Sequence, residues 1–285
     1  MKARLLLTFM LCCRFFQQVS SQVIESNTNR ERNFAFEVKN IDEFIERFNN
    51  DKDAFITSYV KANYPGTNVD RQSLILNLFN RKISWNNAGL NKFLQQVTDP
   101  GKPAYLDFDS NNWYAEAQCR FIYKGSLVDV RILLKIQQEA NGGTKWMIVS
   151  ASSEAIPPAA GTINVQDNKD LSKYLNSMSH ATNFISLNRA LNDRRGIVNY
   201  LDSNFLKSPY SRAFLKGLLA KQLSFQYVKS IAYHFLQVTG WILTVNRFSR
   251  NSVNSGWLIN SMKEASAEEK EAYKMALIVH KTEKV

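Results

Sequence analysis

The chain is poor in the residues that build metal centres and staples. It has three cysteines and three histidines among 285 residues, with 11 glycines and six prolines. So few Gly and Pro exclude collagen-like and Pro-rich low-complexity architectures. His180, His234 and His280 lie far apart and read as ordinary surface or strand histidines, so no metal site and no cofactor are expected. Gly-rich phosphate loops, His-Glu-x-x-His, Cys-x-x-Cys and Gly-x-Ser-x-Gly are all missing, and no catalytic residue is assigned. No Asn-x-Ser/Thr acceptor occurs, which fits a bacterial envelope protein better than eukaryotic secretion.

Apolar and aromatic residues are plentiful. The chain is 45% hydrophobic and 12% aromatic, enough for a sizeable core. The first 21 residues follow a secretory layout: Lys2 and Arg4, an apolar run from Leu5 to Cys13, and small residues ending at Ser21. Cleavage before Gln22 and export to the periplasm, outer surface or medium are expected. Lipidation at Cys12 or Cys13 is the alternative, disfavoured by the bulk of Leu11. The run falls short of the ~20 apolar residues that span a bilayer, so no transmembrane segment is expected in the mature chain. Loss of residues 1–21 leaves Cys119 as the only cysteine and no internal disulfide.

Charge is uneven. Residues 22–160 carry 16 basic and 16 acidic side chains, whereas residues 161–285 carry 17 and 9. Arg194, Arg195 and Lys229 are candidates for a basic face toward an anionic envelope component. The basic residues are spread over sixty positions, and scatter around a solvated surface is expected. A specific nucleic-acid partner is not.

The chain repeats itself. Residues 53–79 lie over 194–220 at a spacing of 141 without a gap, matching Ile56 with Ile197, Tyr59 with Tyr200, Asn63 with Asn204, Arg71 with Arg212, Leu74 with Leu215 and Leu78 with Leu219. Asp70 and Ser211 read as matching helix N-caps. Downstream, Trp146 matches Trp257 at a spacing of 111. Pro157-Pro158 interrupts regular structure between the copies. The division expected is a signal peptide over 1–21, an α+β domain over 22–155, a linker over 156–165 and a second, shortened α+β domain with a C-terminal helix over 166–285.

Each unit reads as helices followed by antiparallel strands. Helices are expected over 40–62, 71–80 and 88–97, then 181–193, 195–204, 211–220 and 263–277. Strands 113–123 and 126–136 alternate apolar and polar residues. A two-residue turn at Lys124-Gly125 would set Phe121 opposite Val128, Cys119 opposite Val130 and Ala117 opposite Ile132. A third long strand is expected over 145–151, with strands 225–235 and 241–248 and one opened by Gly256-Trp257 in the second unit.

This order, with a Trp opening the last strand of each unit, resembles the NTF2-like superfamily of cone-shaped α+β domains. The resemblance implies a concave sheet pocket and, in its enzymes, an Asp, His or Tyr within it. Here the pocket candidates are Trp113, Tyr114, Ala117, Cys119, Val130, Ile132 and Trp146, almost wholly apolar. Such a pocket suits a small hydrophobic ligand and offers nothing for proton transfer. A non-catalytic, exported binding or interaction protein is therefore expected. The alternative is an isomerase or dehydratase acting on a small hydrophobic substrate, with Tyr114, Asp107 or Glu116 near the pocket mouth.

Overall fold

The computed structural model describes residues 29–51, 54–67, 69–139, 142–163, 170 and 172–279. The signal segment, Cys12, Cys13, His280 and the last two linker residues lie outside them. The fold is α+β, as the alternation of helical and strand patterns requires. A helical stretch over residues 29–36 (α1) precedes α2 (Ile41–Asn49), α3 (Phe55–Asn63), α4 (Arg71–Asn77) and α5 (Asn87–Val97). Strands β1 (Trp113–Tyr123), β2 (Ser126–Gln138) and β3 (Thr144–Ser152) form a meander. After the two-residue β4 (Leu175–Asn176) come a 3-10 segment (Ser177–Thr182), α6 (Leu187–Asn192), two short 3-10 turns and α7 (Pro209–Leu219). A second meander, β5 (Leu223–Phe235), β6 (Trp241–Phe248) and β7 (Gly256–Glu264), leads into α8 (Ala267–Val279).

All seven strands belong to one antiparallel sheet in the order β4-β3-β2-β1-β5-β6-β7. The two meanders are joined side by side through β1 and β5, which pair from Trp113↔Phe235 to Tyr123↔Leu223. The first hairpin has the register its turn dictates. Lys124 and Gly125 both have positive φ, 49° and 86°, the geometry whose twist matches the flanking strands. Phe121 then faces Val128, Cys119 faces Val130, Ala117 faces Ile132 and Arg120 faces Asp129.

The expected helix over 40–62 is two helices. Asn50 takes a left-handed conformation (φ 58°) and closes α2, as Asn does at a helix end more readily than other side chains. Asp70 caps α4, accepting from the Ser73 N–H at 2.7 Å. Ser211 does not cap α7. Ser208 does, immediately before Pro209 at the first helical position, where a missing N–H carries no penalty. Ser211 is instead buried, its Oγ accepting from the Ala151 N–H at 3.1 Å. The stretches expected as helices over 181–193 and 195–204 are mostly 3-10 turns around the short α6.

The core lies between the inner sheet face and the helices. Trp113, Ala115, Ala117, Cys119 and Phe121 of β1 and Val130, Ile132, Leu134 and Ile136 of β2 are all fully buried there. Helices of each half reach across to the other half's meander. The first helices pack on the second meander, with Phe44 stacked on Phe235 (ring centroids 5.8 Å apart) and Phe93 edge-on to Trp241 (5.4 Å). On the other side α7 packs on the first meander through Phe214 to Phe121 (5.5 Å), Phe184 in the turn before α6 meets Trp146 (5.1 Å), and α6 and α7 also contact β5.

Single bridges cross between the halves as well. Phe79 bridges Ile259 on β7, and Leu201 bridges Ile148 on β3. The outer sheet face carries a smaller cluster, in which Leu277 of α8 packs with Tyr114, Leu133, Val149 and Leu236.

Candidate functional site

The pocket expected on the inner face is filled. Trp113, Ala117, Cys119, Val130, Ile132 and Trp146 do come together there, each with no exposed surface. Trp113 stacks on Phe235 (5.1 Å, rings 5° apart) and meets Phe108 (5.3 Å) and Trp146 (5.0 Å) edge-on. None of the six lines any of the three surface cavities described below. Strand alternation puts Tyr114 on the opposite face, under α8. Burial pushes its hydroxyl up to about 12, with Glu271 and Asp202 adding to the shift. Burial likewise pushes the Cys119 thiol up to about 12.

His234 is a strand histidine, on β5, whereas His180 lies in the 3-10 segment, and neither is at the surface. Each is buried in polar company on one sheet face. On the inner face, His180 Nε2 lies 2.9 Å from both carboxylate oxygens of Asp42, and Nδ1 lies 2.7 Å from the Ser177 carbonyl. Its ring rests on Phe108 at 4.8 Å. On the outer face, His234 Nδ1 meets Tyr273 Oη at 2.7 Å and Nε2 stands 3.5 Å from Glu116. Arg131 Nη2 pairs with Glu116 at 2.8 Å while Nη1 donates to the Leu277 carbonyl of α8. Burial would raise the Glu116 carboxyl, but His234 and the Arg131 guanidinium outweigh it and hold the group at about 2. These groups tie α8 to the sheet. Glu116, expected near a pocket mouth, thus lies on the outer face with Arg131, and its link to His234 spans more than a hundred residues.

Asp107, the other carboxylate considered, serves its own loop, accepting the Asp109 N–H at 2.9 Å. Arg194 and Arg195 are exposed in the turn after α6, whereas Lys229 stands on β5, bonded to Asp129 at 2.8 Å. Among the described residues no group of three or more His, Cys, Asp or Glu could hold a metal ion.

The largest of three cavities among the described residues is a groove of about 830 Å³ that sequence reasoning did not find. Its floor is the outer face of β2 and β3, with Lys135, Gln137, Lys145 and Met147; its wall is the chain from Val198 to Leu206 with Asp170 and Lys173. The wall is fixed because Leu201 bridges Ile148 and the Asp202 N–H donates to the Ile148 carbonyl at 2.8 Å. Lys135 pairs with the buried Asp202 at 2.7 Å, Lys145 with Glu139 at 2.6 Å and Lys173 with Asp193 at 2.6 Å. Lys173 is raised above the ordinary lysine value, chiefly by its hydrogen bond to Asp193. Val198, Leu201, Phe205 and Leu206 add apolar surface. The groove therefore offers fixed ionic heads beside an apolar wall, the lining that holds an amphiphilic molecule.

No protein-family model, curated protein or solved structure matches the chain.

Proposed function

We propose that the chain is an exported, non-catalytic binding protein whose ligand lies in the groove over β2 and β3. The observation that carries this reading is the groove itself, open where the inner face is packed solid. The acid–base candidates support it. His180, His234 and Glu116 are each engaged by other protein groups, and the Asp107 carboxylate accepts a bond within its own loop. Export rests on the basic start, apolar run and small-residue ending of residues 1–21.

The same reading takes the chain as two copies of one NTF2-like unit, each three or more helical segments followed by a three-stranded meander. Several local matches support duplication. Trp146 and Trp257, Ile148 and Ile259, and the extra residues Val149 and Asn260 of the bulges in the two meanders' last strands all stand 111 apart. Asn80 and Asp202, 122 apart, each donate an N–H to one of these isoleucines and accept from the N–H two residues on. The caps Asn86 of α5 and Ser208 of α7 are also 122 apart. The hydrogen-bonded matches thus favour 122 over the spacing of 141 for the helical parts.

The test is native mass spectrometry of the full chain isolated from its own source. A bound small molecule is expected on the wild type and absent from V198W, in which an indole fills the groove wall. An unmodified mass for the wild type, or equal loading of V198W, contradicts the proposal.

A further inference from the structure

The groove is electrically balanced, its three lysines each held by a carboxylate. A cavity of about 450 Å³ beside β1 and β2 sets Arg120 and Arg131 against Asp129 and Glu154. A third cavity, about 290 Å³, differs: Lys229 and Arg247 line it and no Asp or Glu does. Lys229 leans on Asp129, but the Arg247 guanidinium makes no ion pair or hydrogen bond among the described residues.

This cavity is a notch in the sheet. The β5–β6 ladder runs only from Phe235↔Leu243 to Ala232↔Asn246, and β6 then continues with β7 alone through Arg247↔Trp257. Beyond Ala232 the two strands splay apart. From Leu223 to Ile231, β5 is paired on its β1 side, and among the described residues its other side has no backbone partner. Ser224, Gln226, Tyr227, Lys229 and Ser230 are exposed along it. An open edge is a template for another extended chain. Here it is blunted by design features seen on free edges: bulges leave Gln226 and Lys229 unopposed on β1, and Lys229 places a charge on the rim. A neutral or basic strand gains little from such an edge, whereas an acidic one gains both backbone and ionic partners.

We infer that the β5–β6 notch captures a short acidic peptide segment in extended form, added as a strand beside Val228–Ile231. Its carboxylate meets the Arg247 guanidinium, a charge-assisted contact with a side chain that spends nothing on its neighbours. Alternate residues of the segment would lie over Ile231 and Trp257 on the notch floor. Asn246 and Ser230 supply further polar contacts at its sides. The inference does not depend on the groove over β2 and β3, which lies elsewhere on the sheet.

Fluorescein-labelled Glu-Val-Glu-Val-Glu, titrated into the full chain and followed by anisotropy, tests it. Binding is expected to be about tenfold weaker to R247Q, the loss of one charge-assisted contact. The Lys-Val-Lys-Val-Lys peptide and a copy N-methylated at alternate amides should not bind. Bound peptide should slow amide exchange in residues 223–231. Arg247 is exposed, and an unchanged urea midpoint for R247Q confirms its fold. No binding to the wild type, or equal binding of the N-methylated peptide, overturns the inference. So does displacement by inorganic polyphosphate with the same Arg247 dependence and no protection of β5, which would make the notch a general anion surface.

Discussion

Ile148 on β3 and Ile259 on β7 hold corresponding places in the last strands of the two meanders. Each precedes a one-residue bulge on its strand, and each is bridged by chain from the opposite half, Leu201 for Ile148 and Phe79 for Ile259. Each meander is thus tied to chain that precedes the other, although α6 and α7 also contact β5 of the meander they precede. Separated fragments 22–160 and 161–285 should each expose their meander's apolar face and fail to unfold cooperatively. Mixing them should restore a cooperative urea transition. A cooperative transition in either fragment alone contradicts this reach between the halves.

The inner face should be chemically silent. Cys119 is fully buried and its thiol is pushed up to about 12, so almost no thiolate forms at neutral pH. Ellman's reagent should react with it only at the rate of global unfolding. Rapid labelling in native buffer would mean an open inner pocket.

Much of this architecture was legible locally. Alternation from Trp113 to Ile136, joined by Lys124-Gly125, specified strands, turn and register together, since a slip of one residue would turn every apolar side chain outward. The α7 cap was misread, although Ser208-Pro209 carried the better signal: Pro favours the first helical position and Ser the one before it. The helix breaks at Asn50 and around α6 were hidden because apolar spacing continues across them. The reach of the first helices onto the second meander, and the links of His180 to Asp42 and of His234 to Glu116, depend on contacts over a hundred residues apart. No periodicity reports such contacts. The groove was missed for the same reason, as its wall and floor meet only through the Leu201–Ile148 bridge.

His180 joins the second half to Asp42 at the start of α2. Removing the carboxylate leaves a buried ring nitrogen without its partner, which costs about 1–3 kcal/mol. D42A should lose stability of that order in urea, with the same sheet content by circular dichroism. A change below about 0.5 kcal/mol would show the pair to be incidental.

Glu116 makes the anchoring of α8 acid-sensitive. Its folded value of about 2 lies below the ordinary 4.5, so its stabilisation is complete above pH 4.5 and is lost as pH falls toward 2. The difference corresponds to about 3 kcal/mol. E116Q should be less stable than the wild type at pH 7, and its stability should fall less between pH 4.5 and 2. Parallel pH profiles for the two proteins would contradict the assignment.

Gly256 opens β7 at φ 85°, and a β-carbon there would stand 2.0 Å from the Val38 carbonyl oxygen. G256A should cost about 2–3 kcal/mol by unfavourable backbone conformation and by parting Val38 from the β7 edge. Near-native stability would mean that this edge contact is dispensable.

The claim that the ligand sits over β2 and β3 is tested most directly by acetylation footprinting of the full chain. Protein isolated from its own source is compared with the same protein unfolded, stripped and refolded. Lys135, Lys145 and Lys173 should acetylate more slowly in the isolated protein, while exposed Lys216 and Lys221 react alike in both. Equal rates at the three groove lysines would contradict the account.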